Sequence, residues 1–284
     1  MNSPSFSRRR FLQATVGLTL AGASGFAYAR TIEPRWVDVE RVTLTLPGLA
    51  QHLHGKRVVQ ISDLHLSPYF TAEKLIHVVA HINRLAPDWV FLTGDYYAGS
   101  EYGEQLIEPL RELNPPTFAI FGNHDVRGWR SYTRRYLAET RVKLLSNAGL
   151  LLEPGLWLAG VDDVWRGSAD LTAALRDKPA VATSILLAHE PDYFDEVIRQ
   201  DAPVGVQLSG HTHGGQIRVP TLEATPNGKA TRALVLPFGG QRYEMGLYAR
   251  DARQLYVNRG IGAWPLPYRI NCRPEITLFT LAAG

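Results

Sequence analysis

A chain of 284 residues, 45% apolar and 20% charged, has ordinary globular composition and suits one large or two small domains. Its lone Cys272 excludes an intramolecular disulfide and a cysteine zinc site, and its 18 prolines and 25 glycines are spread out, leaving no low-complexity segment or internal repeat. The formal charge of +3 resides in Arg8, Arg9 and Arg10, since residues 1–29 hold no acid; without them the chain is neutral, and a general affinity for nucleic acid loses its support.

Ser7-Arg8-Arg9-Arg10-Phe11-Leu12-Gln13 resembles a twin-arginine export signal. A Gly/Ala-rich apolar run follows from Ala14 to Phe26, and Ala27-Tyr28-Ala29 offers small residues to a signal peptidase, so cleavage is expected before Arg30. A retained membrane anchor is the other reading, but the run is short of spanning length and poor in Leu and Ile. The expected organisation is a signal peptide at 1–29 and a single domain at 30–284, with the export machinery as a partner. The mature protein is expected in the periplasm or on the outer face of the cytoplasmic membrane. Twin-arginine export carries folded proteins, which implies metal loading before transit. No obligate protein partner is indicated.

Trp36–Leu46 alternates, with Val37, Val39, Val42, Leu44 and Leu46 apolar, and predicts a half-buried strand ended by Pro47-Gly48. Arg57–Ser62 predicts a strand that delivers Asp63 and His65. Thr71 can cap a helix over Ala72–Leu85, whose apolar face is Leu75, Ile76, Val79 and Ile82; Pro87 stops it. Trp89–Leu92 is a buried strand leading to Gly94-Asp95. A helix around Glu104–Leu113 is kinked by Pro109 and closed by Asn114-Pro115-Pro116. Thr117–Phe121 is a third buried strand, leading to Gly122-Asn123-His124-Asp125. Strands with helices between them imply parallel pairing, and such sheets bind ligands beyond their carboxyl ends. Further short strands are read at Leu150–Leu152, Leu156–Val161, Ile185–Ala188, Val204–Leu208, Leu255–Val257 and Ile276–Leu281, with a helix over Tyr193–Gln200. The fold class is α/β, with two mixed β-sheets packed face to face and helices outside.

Each polar cluster thus falls where a strand ends. Asp63, His65, Asp95, Asn123, His189, His211 and His213 offer more O and N donors than one metal ion needs, and they suit two ions sharing a carboxylate. Asp95, alone at the tip of the middle strand, is the bridging candidate. Asp63 and His65 lie two apart on an extended chain and point the same way; His211 and His213 share that spacing, with Gly210, Gly214 and Gly215 permitting a tight path. Asn123 and His189 complete the second ion. Mixed N/O ligation suits Mn, Fe or Zn. His52 and His54 fall in a polar loop, and His77 and His81 on the solvent edge of a helix. Arg242 and the run Arg259–Arg269 mix arginine, proline, glycine and aromatics, so Arg242, Arg259, Trp264 and Tyr268 are candidates for a substrate-binding rim, one that suits a lipid-linked phosphoester.

Asp63-x-His65, Gly94-Asp95, Gly122-Asn123-His124-Asp125, a lone His189 and Gly210-His211-Thr212-His213, in this order, resemble the calcineurin-like metallophosphoesterases over residues 55–280. The resemblance implies a four-layer sandwich and a dinuclear centre. One ion is held by Asp63, His65, Asp95 and His213, the other by Asp95, Asn123, His189 and His211. A metal-bridging hydroxide attacks phosphorus in line, and His124 contacts phosphate and protonates the leaving group. Ser7–Thr15, Gly210–Pro220 and Asn271–Glu275 are similar to the exported YaeI-type phosphodiesterases. A neighbouring branch cleaves the pyrophosphate of UDP-2,3-diacylglucosamine. Phosphoprotein phosphatases of the superfamily carry a second Asp and an Arg just after Gly-Asp. Here Tyr96-Tyr97-Ala98-Gly99 follows, which argues against that activity and leaves His124 without an assigned proton-relay partner. The expected function is metal-dependent phosphodiester hydrolysis. The alternatives are a UDP-2,3-diacylglucosamine-type pyrophosphatase and an exported metal-binding protein without turnover.

Overall fold

A computed structural model describes residues 8–222 and 230–284, so Ser7 of the export-signal motif lies outside the described residues. In chain order the first half comprises α1 (Arg8–Thr31), β1 (Asp38–Leu46), β2 (Arg57–Ile61), α2 (Ala72–Leu85), β3 (Trp89–Leu92), α3 (Ile107–Arg111), β4 (Thr117–Ala119), α4 (Asn123–Val126), α5 (Arg130–Ala138) and β5 (Lys143–Leu144). The second half comprises β6 (Ala148–Glu153), β7 (Leu156–Gly160), α6 (Leu171–Leu175), β8 (Thr183–Leu187), α7 (Phe194–Arg199), β9 (Val206–Ser209), β10 (Arg218–Pro220), β11 (Thr231–Ala233), β12 (Gly246–Arg250), β13 (Arg253–Val257) and β14 (Glu275–Ala283).

Two six-stranded sheets result, ordered β1-β14-β2-β3-β4-β5 and β12-β13-β9-β8-β7-β6, with β10 and β11 as a separate hairpin. Both sheets are mixed. The first is parallel except where β14 meets β2; the second is parallel inside and antiparallel at both edges. The alternation of side chains along a strand explains the uninterrupted apolar runs. Val58 and Phe91 face the second sheet, while Val59 and Val90 face outward onto Leu75, Val79 and Ile82 of α2. Trp157 and Leu186 face out of the second sheet onto Leu171, Phe194 and Val197. Three apolar layers therefore separate four layers of structure. Because β14 lies between β1 and β2, the halves of the chain share one core.

Departures from the sequence reading have local causes. α2 has the predicted bounds, but Thr71 makes no capping hydrogen bond, and Val78 replaces the exposed Ile76 on its buried face. The helix expected over Glu104–Leu113 is instead 3-10 turns over Ser100–Leu106 followed by α3. Pro109 sits in the first turn of α3, where its missing N–H costs no helical hydrogen bond. α5 carries mostly charged and polar residues, and only Thr133, Tyr136 and Leu137 are buried. β5, β10, β11 and β12 are short, and apart from the buried Arg218 of β10 their residues are half-buried or exposed.

The N-terminal helix runs without a break through the Ala29–Arg30 bond. Ala29 is buried and its carbonyl accepts a hydrogen bond from Arg269 N at 3.0 Å, while the Phe26 ring lies 5.2 Å from that of Tyr268. Among the described residues no helix is long and apolar enough to cross a membrane.

Candidate metal centre

β2, β3 and β4 run parallel side by side, as do β8 and β9 in the facing sheet. Their carboxyl ends open into one cleft, which is where the polar clusters lie. Five of the seven candidate ligands have φ in the left-handed region: Asp63 51°, His65 43°, Asp95 58°, His211 70° and His213 51°. Such a φ costs a non-glycine residue about 1–2 kcal/mol, and it gathers at sites where surrounding bonds over-determine the backbone. Here Asp63 N donates to Gly94 O at 2.9 Å, His65 N to Asp95 O at 3.1 Å and Gly262 N to Asp63 O at 2.8 Å. Gly94, with φ 93°, allows this approach: a Cβ there would lie 2.5 Å from Gly122 N and 2.9 Å from His189 Nδ1. The pairs Asp63/His65 and His211/His213 therefore do not converge as neighbours on an extended strand; they sit in tight turns beyond the strand ends.

The turns sort the donors differently from that spacing argument. Asp63, His65 and His213 form one group, and Asp95, His189 and His211 another, with ligand atoms in each within 4.8 Å of one another. His211 and His213 are thus in separate groups. Asp95 Oδ2 lies 3.4 Å from His65 Nε2 and 3.3 Å from His189 Nε2, between the two groups. Asp63 Oδ1 lies 3.5 Å from His213 Nε2 and 4.0 Å from His189 Nε2. Asn123 Oδ1 is 3.0 Å from His211 Nδ1, so all seven predicted ligands meet.

The donor chemistry fits divalent cations. His189 Nδ1 lies 2.6 Å from Thr93 O, an acceptor only, so Nδ1 carries a proton and Nε2 is aimed at two carboxylates without a hydrogen-bond partner. Burial by itself lowers the His189 imidazole, but Asp95 and Asp63 outweigh it and raise it well above its ordinary value. The pocket thus attracts a positive charge at this nitrogen. His211 repeats the pattern. Burial, then His189, pushes it down to about 3, so it is neutral. Its two nitrogens face the carbonyl of Phe238 at 2.7 Å and Asn123 Oδ1, yet a neutral ring has one proton to give. A cation beside Nδ1 and Oδ1 resolves the conflict.

Asp125 is an organising residue to which the sequence reading gave no role. Fully buried, it accepts from Asp95 N at 2.7 Å, Gly122 N at 2.8 Å and Tyr96 N at 3.0 Å, clamping the β3 loop to the β4 loop. Asp125→Ala strands three buried N–H groups. It is expected to lower stability by about 2–4 kcal/mol, on the cost of unmet buried donors, and to weaken metal binding about 10–100-fold. Thermal melting and metal titration check this; unchanged values would show that the clamp is dispensable.

Above the ligands lies a cavity of about 440 Å³. Its floor includes Asp95, Asn123 and a half-buried His124, whose backbone N donates to Asp95 Oδ1 at 2.8 Å. Burial lowers the His124 imidazole, with Asp95 opposing. Its ring lies edge-on to His65 at 4.9 Å and to Trp264 at 6.4 Å. The walls are apolar: Trp165, Ile217, Leu234, Val235, Trp264 and Leu266 among them. Trp165 carries no sequence signal that would have found it. Of the four rim candidates only Trp264 lines this cavity. Arg259 is half-buried and held in ion pairs with Glu275 at 2.6 Å and Glu40 at 2.8 Å. Arg242 pairs with Asp195 on a neighbouring cleft, and Tyr268 packs against Phe26 and Arg30.

Two face-to-face mixed sheets with helices outside, and seven N/O donors gathered at their strand ends, define a metal-binding hydrolase architecture. Residues 56–215 match the calcineurin-like phosphoesterase family, and the chain belongs to it. It is 36% identical to the metallophosphoesterase YkuE of Bacillus subtilis, covering 97% of each chain, and 34% identical to the phosphodiesterase YaeI of Escherichia coli, covering 97% of this chain and 99% of that one. It is 29% identical to the UDP-2,3-diacylglucosamine pyrophosphatase LpxG of Chlamydia trachomatis, over 89% of this chain and 92% of that one. Among solved structures, a dimetal phosphatase from Danio rerio aligns with a TM-score of 0.47 at 12% identity, covering 73% of this chain and 88% of that chain. The protein is a metallophosphoesterase, a hydrolase of phosphate esters whose family uses divalent metal ions.

Proposed function

We propose that this protein is a phosphodiesterase working with two divalent ions outside the cytoplasmic membrane. The observation that carries it is the position of Asp95 Oδ2 between two groups of ligand atoms, with His124 on the same cavity floor. Asp63, His65, Asp95 and His213 would hold one ion; Asp95, Asn123, His189 and His211 would hold the other. When bound, such ions supply Lewis-acid stabilisation of phosphoryl oxygens and a water acidic enough to act near pH 7. His124 donates a proton to the departing oxygen. The apolar walls around Trp264 exclude bulk water and strengthen every charge interaction on the floor.

Neither lysine nor arginine is among the described residues lining the cavity. A monoester dianion gains from such a cation, whereas a diester carries a single negative charge and needs it less. That favours a diester. The apolar walls also suit a second reading, a pyrophosphatase on a lipid-linked nucleotide, which the similarity to LpxG supports. Export rests on Arg8-Arg9-Arg10-Phe11-Leu12 and the apolar run behind it.

The test is metal analysis of the purified protein beside hydrolysis of bis-p-nitrophenyl phosphate, p-nitrophenyl phosphate and a pyrophosphate diester with added Mn, Fe or Zn. About two ions per chain and a diester preference of at least about tenfold are expected. Bound metal with no turnover of any ester would leave a metal-binding protein.

A further inference from the structure

Beside the catalytic cavity lies a second, smaller pocket of about 180 Å³, whose lining includes Arg30, Arg35, Lys74 and Tyr69. One loop separates the two: Ile261–Ala263 and Pro267 face the small pocket, while Trp264–Leu266 face the cavity. Among the described residues no carboxylate lies within ion-pair distance of Arg30, Arg35 or Lys74. Lys74 Nζ donates to Tyr69 O at 2.6 Å, and the Arg30 guanidinium lies 5.3 Å from the Tyr69 ring. Of the acids adjacent in sequence, Glu33 is buried and accepts from Cys272 N at 2.6 Å, and Glu73 raises Lys74 only from beyond ion-pair distance. A groove of about 380 Å³ continues along α2, where Arg84 joins Arg35 and Lys74 with no acid in the lining.

Exposed apolar side chains stand around the cavity mouth. Leu266 is 54% exposed on the shared loop, and Leu234 is 57% and Val235 77% exposed elsewhere on the cavity lining. The apolar helix α1 leaves the body at the same pocket, which its Arg30 and Thr31 help to line. Unpaired cations next to protruding apolar groups form the pattern of an interfacial surface: the cations pair with anionic headgroups, and the apolar groups enter the acyl boundary. A single-stranded nucleic acid would call for a run of exposed stacking platforms along the cationic strip; of its aromatics Phe70 is buried and Tyr69 already carries the Arg30 guanidinium, and Val78 and Ile276 line the rest.

We infer that this face docks on an anionic lipid bilayer through Arg35 and Lys74, turning the catalytic cavity toward the membrane surface. A phosphodiester with an apolar tail then moves from the headgroup layer over Leu266 into the cavity without crossing water. The docking stands independently of catalysis; only this last step rests on the phosphodiesterase reading. Arg35 and Lys74 both follow the expected cut, so the two cations remain in the chain whether or not the first 29 residues are removed.

Flotation of the full chain with vesicles of phosphatidylglycerol and phosphatidylcholine, against phosphatidylcholine alone, tests it. The wild type is expected to prefer the anionic vesicles and to lose that preference at high salt. Arg35→Glu with Lys74→Glu should raise the lipid concentration for half binding at least about tenfold on anionic vesicles, from about fivefold per surface cation, and leave the neutral vesicles unaffected. α1 is common to both chains, so the ratio isolates the pocket. Soluble bis-p-nitrophenyl phosphate should be hydrolysed unchanged. If the double reversal does not fold, Arg35→Gln with Lys74→Gln carries the comparison with a smaller loss. Equal binding to both vesicle types, a variant that binds like the wild type, or charge-sensitive binding to an oligonucleotide in place of vesicles overturns the inference. Absent turnover of the soluble diester would instead strike the functional reading and leave the docking result standing.

Discussion

Asp95→Asn is expected to lower phosphodiester hydrolysis by at least about a thousandfold and to reduce bound metal to about one ion per chain or fewer. The two oxygens of this carboxylate serve different masters. Oδ1 accepts the His124 N–H at 2.8 Å, and Oδ2 lies 3.3 Å and 3.4 Å from the Nε2 atoms of His189 and His65. An asparagine amide has one oxygen and one NH₂ group. If its oxygen keeps the bond to His124 N, its NH₂ points donors at the place where a cation is to sit. If it turns over, two N–H groups face each other in a buried site. Neither orientation serves both sides, so a change of one atom removes the bridge. The charge balance shifts as well: burial favours the neutral acid, yet His189 and His124 hold Asp95 well below the usual carboxylate range. Metal content and kcat/KM measured together decide this, with circular dichroism to show that the chain is folded. A variant that keeps both ions and its rate would remove Asp95 from the bridging position.

The sequence made the ligands legible for a reason that is only partly structural. Apolar runs of strand length located the ends of β2, β3, β4, β8 and β9, and polar residues at such ends are few enough to list. What it could not show is how short-range geometry assigns them. Spacing alone put His211 with His213, but positive φ at both residues turns one ring to each group. Asp125 stands inside the Gly-Asn-His-Asp motif, yet its role depends on backbone N–H groups of three residues, Asp95, Tyr96 and Gly122, on two loops, and no pattern of side chains encodes that. The composition of the loop rich in arginine and aromatics suits phosphate and makes it a rim candidate. Ion pairing decides otherwise for Arg259, whose bonds to Glu275 and Glu40 join elements far apart in sequence. The hairpin β10–β11 and the edge strand β12 lack an apolar period because none of them buries a continuous apolar face, so period could not find them.

His124→Ala is expected to lower kcat by about a hundred- to ten-thousandfold for dialkyl phosphates, the range of a lost general acid, and far less for p-nitrophenyl esters. The difference arises because an alkoxide needs a proton to depart and p-nitrophenolate does not. The geometry allows the role: the residue is fixed through its backbone N–H to Asp95, and its ring faces the cavity without a hydrogen-bond partner among the described residues. Tyr96 stands directly after Gly94-Asp95, where no carboxylate can steer the ring, and among the described residues no carboxylate hydrogen-bonds to it. Burial lowers this imidazole, so it is neutral in the free protein near pH 7. It becomes an acid only once an anionic phosphodiester lies against it and raises it. His124 also stands within ligand distance of His65 and Asp95, which makes metal binding the competing role. The two roles part cleanly. A ligand lost takes metal with it and slows all esters alike. An acid lost leaves the metal in place and slows esters in the order of their leaving-group basicity.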